Sequence, residues 1–335
     1  MKTTESDYDF SEMHQRMQFY IDQNILSCCA TAVFKGADLV DHQTFGYMDL
    51  ETRQPLRDDA IYRMASNTKI VTSVALMMLQ ERGLFELDDP LAKFLPGFGD
   101  MQVLQPTANS ATDVSPAANL ISVRHLLSHS AGLSYGFVEP DSLIDQTYLN
   151  NGVNGLGEQE IDLEELCLRI AKLPLAFEPG TSWRYSFATD VCARLVEVLS
   201  GLSYDVFLRQ YIFDPLGMVD TDFWVPEEKA DRLITLYSPQ DLFDPMKPGL
   251  HKAGDVITGP YTAKPTMLSG GGGLVSTVAD YSAFLRMIVN AGEWSGVRLL
   301  KPETLQSMRS NHLADGVQVA FPMWVMPGTV FGLGF

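Results

Sequence analysis

Long apolar segments are missing from this sequence. No run of hydrophobic residues approaches the roughly 20 that a helix needs to span a bilayer. The opening stretch, MKTTESDYDFSEMHQRMQFY, also lacks the apolar core that a signal peptide requires. We therefore expect a cytoplasmic protein that makes no use of a membrane.

Positive charge is scarce as well. The 335 residues include 24 Lys and Arg against 42 Asp and Glu, so the formal net charge is −18. Such a chain is repelled by nucleic acids and by anionic membrane surfaces, and we expect neither as a partner. Solubility explains the acidic balance without any macromolecular partner, and the sequence leaves the oligomeric state open.

Cysteine is rare, and its spacing matches no metal-binding motif. Cys28 and Cys29 are adjacent in the apolar run CCATAVF, whereas Cys167 and Cys192 stand far from them and from each other. We expect four buried free thiols. The sequence predicts no metal site and no cofactor.

Hydrophobic residues make up 46% of the chain, enough for a large core. Two strand-like runs near the start, CCATAVFKG and DLVDHQTFGYM, are joined by a turn that predicts a hairpin, and LSGGGGLVST provides a short strand toward the end. We predict an α/β (α+β) fold. Its antiparallel sheet is built from the N- and C-terminal segments, 1–85 and 266–335, flanked by helices, and 86–265 form an inserted, mainly helical region.

The inserted region contains both helical and irregular patterns. Residues 100–118 and 135–158 lack periodicity and are predicted to be loops. Ser122 is a candidate cap for the helix SVRHLLSHSAGL, which Gly132 would end. The stretch EQEIDLEELCLRIAKL has helical spacing of Leu and Ile.

A serine and a lysine stand three residues apart at the head of an apolar helix, RMASNTKIVTSVALMMLQERG. In one interpretation Ser66 or Asn67 caps the helix and Lys69 is a solvated charge. However, the helix dipole disfavours a cation in the first turn, and the residues after Lys69 are apolar nearly all round, which predicts a buried helix. A buried amine that loses its proton is a base, and residues three apart share a face. Ser66 and Lys69 are therefore candidates for a nucleophile and its activator.

Three further features have competing interpretations. Tyr185, in PGTSWRYSFATD, is either a packing residue or part of a site. His125 and His129 have the spacing of a zinc pair, but no glutamate base or third ligand accompanies them, which favours structural roles. The glycine run 270–273 lacks the ending of a P-loop, and close backbone approach to a catalytic pocket explains it better.

Taken together, these motifs resemble a known family. The Ser-x-x-Lys helix, ISVRHLLSHSAGL, FEPGTSWRYS and SGGGGLVSTVADYSAFLRMI are similar to segments of class C β-lactamases, DD-peptidases and, most closely, family VIII carboxylesterases. The resemblance extends from about residue 28 to the last residue. It implies a β-lactamase/transpeptidase-like fold in which Ser66 is the nucleophile, Lys69 accepts or relays its proton, and Tyr185 shares that proton transfer.

The sequence departs from this family in two places. Relatives carry a third motif, Lys-Thr-Gly or His-x-Gly, which is absent here, so the resemblance implies a chain that is truncated before that motif, weakly active or inactive, and prone to aggregate. Lactamases of this class have Asn two residues after the tyrosine, whereas this chain has Phe187, which cannot make the amide's hydrogen bonds.

These observations favour a serine carboxylesterase that hydrolyses short-chain carboxyl esters through an acyl-enzyme on Ser66. Phe187, Gly271 and Gly272 are predicted to line the substrate site, and the expected partner is a small-molecule ester. Two alternatives remain: a β-lactamase or DD-peptidase-like amide hydrolase, and a catalytically impaired binding protein of the same fold.

Overall fold

The computed structural model describes residues 8–155, 160–253, 261–321 and 324–335. Its α-helices are α1 Ser11–Asp22, α2 Thr68–Glu81, α3 Val123–Leu127, α4 Leu143–Asn150, α5 Leu163–Ile170, α6 Ala188–Ser200, α7 Tyr204–Leu208, α8 Asp214–Leu216, α9 Val278–Val289 and α10 Pro302–Met308. Its β-strands are β1 Cys28–Lys35, β2 Asp38–Asp49, β3 Gln54–Pro55, β4 Tyr62–Arg63, β5 Gln102–Leu104, β6 Val114–Pro116, β7 Tyr237–Pro239, β8 Leu250–Lys252, β9 Val275–Ser276, β10 Glu293–Trp294, β11 Val297–Arg298, β12 Ala320–Phe321 and β13 Trp324–Val325.

The predicted hairpin is confirmed. Strands β1 and β2 pair antiparallel from Cys28 opposite Gly46 to Lys35 opposite Asp38, with one irregularity after Val33. Gly36 turns the chain with a φ of 58°, a conformation that glycine adopts without steric cost. Strand β3 adds to the other edge of β2, and α1 packs against β2.

Helix α2 is the centre of the core. Apart from Ile70 and its last two residues, every residue of α2 is buried, as its apolar sequence predicts. It packs against α6, whose apolar face contributes Val191, Leu195 and Val196 to the same core. Burying α2 on nearly all sides holds its N-terminal turn, where Ser66 lies, in a fixed position.

One short strand pair joins the N-terminal part of the chain to its C-terminal part. Strands β4 and β9 are antiparallel, with Tyr62 opposite Ser276, and the amide of Met64 donates to the carbonyl of Leu274 at 2.8 Å. The segment that precedes Ser66 is thereby attached to the segment that follows the glycine run. Together with the helices, this pairing of N- and C-terminal segments gives the mixed α/β class that the sequence predicts.

Several local predictions are wrong. Residues 100–118 are not simply a loop, because β5 and β6 pair there and Val103 is buried. The predicted loop 135–158 contains α4, whose Tyr148 is fully buried, while residues 156–158 of that prediction lie outside the described residues. Such short elements contain too few residues to show a hydrophobic period.

Two further expectations need correction. Ser122 does cap α3, but the helix ends at Leu127 rather than at Gly132, since His129 has a left-handed φ of 55° that a helix cannot include. All four cysteines are unbonded, yet Cys28 and Cys29 are only half-buried. Within the described residues, no helix combines the length and apolar character needed to cross a membrane.

Candidate active site

Ser66 lies in a 3₁₀ turn, Ala65–Asn67, that leads directly into α2. The turn begins with Ala65 at a φ of 44°, a left-handed conformation that an alanine adopts only under the constraint of its surroundings. The Ser66 side chain is exposed, and Asn67 provides no side-chain cap for α2. The simple capping interpretation is therefore wrong, and the hydroxyl of Ser66 is available for other partners.

Lys69 is buried, with 6% of its surface exposed, so its interpretation as a solvated charge is also wrong. Its amine donates to the carbonyl oxygen of Gly271 at 2.5 Å and lies 3.5 Å from Ser66 Oγ. The amine also lies 4.5 Å from the ring centroid of Tyr185 and 5.4 Å from that of Tyr135. A carbonyl oxygen and two ring faces are good surroundings for a positive charge.

Tyr185 is the nearest side chain to the serine oxygen. Its hydroxyl lies 2.5 Å from Ser66 Oγ, compared with 3.5 Å for the Lys69 amine. The backbone around Tyr185 is held by its neighbours, since Arg184 N donates to His129 O at 2.9 Å and Phe187 N donates to Ser134 O at 3.3 Å. The three residues that the sequence singles out are thus in mutual contact.

His129 supports the ring of Tyr185. The two ring centroids are 5.1 Å apart, and His129 Nδ1 lies 3.3 Å from the hydroxyl oxygen of Ser186. Burial, with a smaller contribution from Lys69, lowers the pKa of His129 to about 3, so the imidazole is uncharged near neutral pH.

His125 has a separate structural role, as the sequence favours. It forms a capping box with Ser122. Its ring also fills the space beside Gly180, where an added Cβ would lie 2.9 Å from His125 Nε2. Within the described residues, no cluster of three or more His, Cys, Asp and Glu side chains could hold a metal ion.

The predicted substrate-binding residues fall in different places. Phe187 is 1% exposed and lies under Tyr135, with the ring centroids 4.5 Å apart, so its influence on a substrate would pass through Tyr135. Gly271 supplies the carbonyl that accepts from Lys69. Gly272 has open space on its Cβ side, where the nearest atoms, in Ala65, are 3.9 Å away.

Sequence reasoning missed two residues beneath the amine, Asp190 and Tyr135. Asp190 is 1% exposed, and its carboxylate accepts from Ser269 Oγ at 2.6 Å and from Gly271 N at 3.0 Å. Burial raises the pKa of the Asp190 carboxyl, and Lys69 is the strongest influence in the opposite direction. The available signal was an aspartate within the run ATDVCA at the start of α6, whose other residues carry no charge.

The geometry is suited to acyl transfer. An exposed hydroxyl, a phenol oxygen at hydrogen-bond distance and a nearby buried amine are the groups that a serine nucleophile with a proton path requires. Ser66 also stands at the N-terminus of α2, where the helix dipole favours negative charge on a reacting oxygen.

Comparison with known proteins gives consistent matches. A family model described as Beta-lactamase matches residues 15–335. Protein Rv1367c of Mycobacterium tuberculosis is 32% identical over 316 residues, which cover 93% of this chain and 75% of that protein.

Two fungal relatives have names that state an activity. Acyltransferase calJ of Penicillium decumbens is 31% identical over 287 residues, or 81% of this chain and 62% of that protein. Lovastatin esterase of Penicillium rubens is 31% identical over 268 residues, or 78% of this chain and 62% of that protein. This chain therefore spans under two thirds of the length of each.

A solved structure supports the fold. The structure of "EstCE1, a hydrolase with promiscuous acyltransferase activity" superposes with a TM-score of 0.78 at 24% identity. The superposition covers 97% of this chain and 81% of that chain.

Proposed function

The chain belongs to the beta-lactamase family of serine hydrolases, and on that premise we propose that it cleaves short-chain carboxyl esters of small molecules through an acyl-enzyme on Ser66. The observation that carries the proposal is the contact of Ser66 Oγ with the Tyr185 hydroxyl at 2.5 Å and the Lys69 amine at 3.5 Å. A serine hydroxyl is a weak nucleophile unless a base takes its proton, and these are the two side chains placed to do so.

In the proposed reaction, Ser66 Oγ attacks the ester carbonyl carbon and its proton goes to one of two acceptors: a Tyr185 phenolate, stabilised by the Lys69 ammonium, or a neutral Lys69 amine, with the Tyr185 hydroxyl hydrogen-bonded to Ser66 Oγ. The backbone amide of Ser66 donates to the carbonyl oxygen as it becomes negative. The alcohol then leaves with a proton returned through the same path, and an acyl ester remains on Ser66. Water attacks that ester, the acid is released and Ser66 regains its hydrogen.

Two observations favour esters over β-lactams. Phe187 occupies the position where the lactamases that the chain resembles have an amide side chain, and its buried ring makes no polar contact with a substrate. One of the relatives is named an esterase.

Acyl transfer to an alcohol is a second candidate, favoured by the relative named an acyltransferase. It uses the same acyl ester on Ser66 and differs only in whether water or an alcohol attacks in the second step. Adding a short alcohol during turnover distinguishes the two, because a transferase forms a new ester whereas a hydrolase forms only the acid.

Covalent labelling tests the nucleophile without requiring full turnover. A fluorophosphonate probe incubated with the protein should leave one adduct, on Ser66, located by mass spectrometry of peptides. We expect Lys69→Ala and Tyr185→Phe to lower the labelling rate by about 10²-fold or more, the usual size of general acid–base assistance. An adduct on another residue, or none on folded protein, would refute the proposal in favour of a catalytically impaired member of the family.

Steady-state rates on p-nitrophenyl butyrate and on nitrocefin then identify the substrate class. The proposal requires kcat/KM to be higher for the butyrate ester, and a higher value for nitrocefin would favour the lactamase alternative.

A further inference from the structure

Asp190 is a buried carboxylate that the reaction above does not use. It lies near the start of α6 with 1% of its surface exposed. A buried carboxylate is costly unless its oxygens accept hydrogen bonds, and here each oxygen has partners. Oδ1 accepts from Ser269 and Gly271, and Oδ2 accepts from the hydroxyl of Tyr135.

The first contact fixes the backbone that receives the lysine. Gly271 N donates to Asp190 at 3.0 Å, while the carbonyl of Gly271 accepts from the Lys69 amine at 2.5 Å. A Cβ on this glycine would lie 2.5 Å from Asp190 Oδ2 and 2.7 Å from the Tyr135 hydroxyl oxygen, so the backbone fits closely between those two side chains. Asp190 therefore controls the orientation of the carbonyl that the amine contacts.

The second contact fixes the ring below the amine. The Tyr135 hydroxyl lies 3.4 Å from Asp190 Oδ2, and its ring lies 5.4 Å from the Lys69 amine and 5.5 Å from the ring of Tyr185. One carboxylate thus contacts two residues, Gly271 and Tyr135, that lie against the Lys69 amine.

We propose that Asp190 is a positioning residue, which holds Gly271 and Tyr135 in place and through them keeps the Lys69 amine beside Ser66. The proposal rests on the function proposed above, since it matters only if Ser66 and Lys69 carry the chemistry. It gives the buried anion two roles: it fixes the geometry around the amine, and its negative charge interacts favourably with positive charge on Lys69.

The effect of the negative charge on Asp190 depends on which groups face it. These groups come from α2, from the segment after α3, and from α5, α6 and α7; they are Lys69, Tyr135, Cys167, Cys192 and Tyr204. Burial raises the pKa of the thiols and of the two tyrosines, so these four are uncharged near neutral pH. Lys69 is therefore the group among them whose charge Asp190 can stabilise.

Asp190→Asn is the matched test, because it keeps the shape and a carbonyl acceptor while it removes the charge. The measurement is the rate of Ser66 labelling by a fluorophosphonate across the pH range, with thermal unfolding to confirm the fold. We expect the maximal rate to fall about tenfold or more as the amine loses its placement. We expect the midpoint of the rise in labelling rate with pH to move down by about one pH unit. The reason is that removing a nearby anion makes a proton at the site easier to lose.

Asp280→Asn is the control. Asp280 is also a buried carboxylate, in α9, and accepts from Asp220 N and Thr221 Oγ1 rather than from the groups around Lys69. We expect this variant to lose stability but to keep the labelling rate and pH midpoint of the parent.

Different outcomes separate the two proposals. A parent protein that is not labelled on Ser66 overturns both. A labelled parent with an unchanged midpoint and maximal rate in Asp190→Asn overturns only the role of Asp190. A rate loss without any shift of the midpoint assigns Asp190 a merely structural role and also overturns the proposal.

If Asp190→Asn does not fold, a second variant tests the same proposal. Tyr135→Phe removes only the hydroxyl that donates to Asp190 and keeps the ring beside the amine. We expect it to lower the labelling rate by about twofold to tenfold, the range of one hydrogen bond. An unchanged labelling rate would overturn the proposed link between Asp190 and the amine.

Discussion

At the scale of single residues, burial decides what each titratable group can do. Lys69 and His129 are both buried close to Tyr185, yet they have different surroundings. The lysine amine has a carbonyl acceptor and two ring faces, which suit a cation. Among the residues that the structure describes, His129 contacts a hydroxyl and aromatic rings but no carboxylate, so it serves as an uncharged surface against which Tyr185 packs.

The lowered pKa of His129 predicts a specific loss of stability in acid. Its pKa is about 3 in the folded protein and about 6.5 when unfolded, so the unfolded chain binds the proton first as the pH falls. Stability is therefore lost from pH 6.5 downward until His129 protonates in the folded state near pH 3. This one group should lower the free energy of unfolding by about 2 kcal/mol between about pH 7.5 and about pH 5.

His129→Asn tests that prediction, because asparagine tolerates the left-handed backbone. Urea unfolding at several pH values should show a lower stability overall but a shallower fall between those two pH values. Part of the fall should remain, since burial also lowers the pKa of His125 and of His312. His251→Asn, at an exposed position in β8, is the control and should leave the slope unchanged; an unchanged slope in His129→Asn would contradict the prediction.

At the scale of elements, the glycine run 270–273 joins α2 to α6. The carbonyl of Gly270 accepts from Thr72 Oγ1 at 2.7 Å, and the same hydroxyl lies 2.6 Å from the hydroxyl of Tyr204. A Cβ on Gly270 would lie 2.6 Å from Ala193 Cβ and 2.8 Å from Thr189 O. The absence of side chains in this segment is therefore what allows its backbone to reach α2.

This packing predicts that alanine destabilises the protein more at Gly270 than at Gly272. Gly270→Ala should lower the free energy of unfolding by about 1–3 kcal/mol, because its methyl group meets α6. Gly272→Ala should change the free energy of unfolding by less than about 1 kcal/mol. The added methyl group would make only ordinary van der Waals contacts, and the backbone conformation at Gly272 is one that alanine can adopt. Chemical unfolding of both variants checks the difference, and equal destabilisation would show that α6 does not confine the glycine segment.

The sequence predicts best the elements whose hydrophobic pattern extends over many residues. Helix α2 and the β1–β2 hairpin follow from apolar periodicity and turn residues, and the Ser66–Lys69 spacing alone predicts their contact. Tyr185 could be placed beside them only through family resemblance, because 119 residues separate it from Ser66. Asp190 and Tyr135 were missed because single polar residues among apolar ones show no pattern until the chain is folded.

At the scale of the whole molecule, the net charge of −18 sets the electrostatic field that a substrate meets. A field of one sign raises the local concentration of ions of opposite charge and lowers that of like charge. An uncharged ester experiences neither effect. On the proposed function, this negative charge therefore acts as a filter against anionic substrates.

This filter predicts a difference in salt dependence. For p-nitrophenyl butyrate, kcat/KM should vary by less than about twofold between about 0.02 M and about 0.5 M NaCl. For the mono-p-nitrophenyl ester of succinic acid, which carries one negative charge, kcat/KM should rise several-fold over the same range as repulsion is screened. A fall for the anionic ester would instead reveal a local positive charge at the site.

The site is assembled from parts that lie far apart in the chain: Ser66 contacts a hydroxyl 119 residues later, and Lys69 contacts a carbonyl 202 residues later. A growing chain therefore stays inert until its later segments have emerged from the ribosome and folded back. Recovery of activity during refolding consequently reports completion of the tertiary structure, whereas recovery of helix content reports only its early stages. On the proposed function, the contacts that activate Ser66 therefore form only after these late segments have folded.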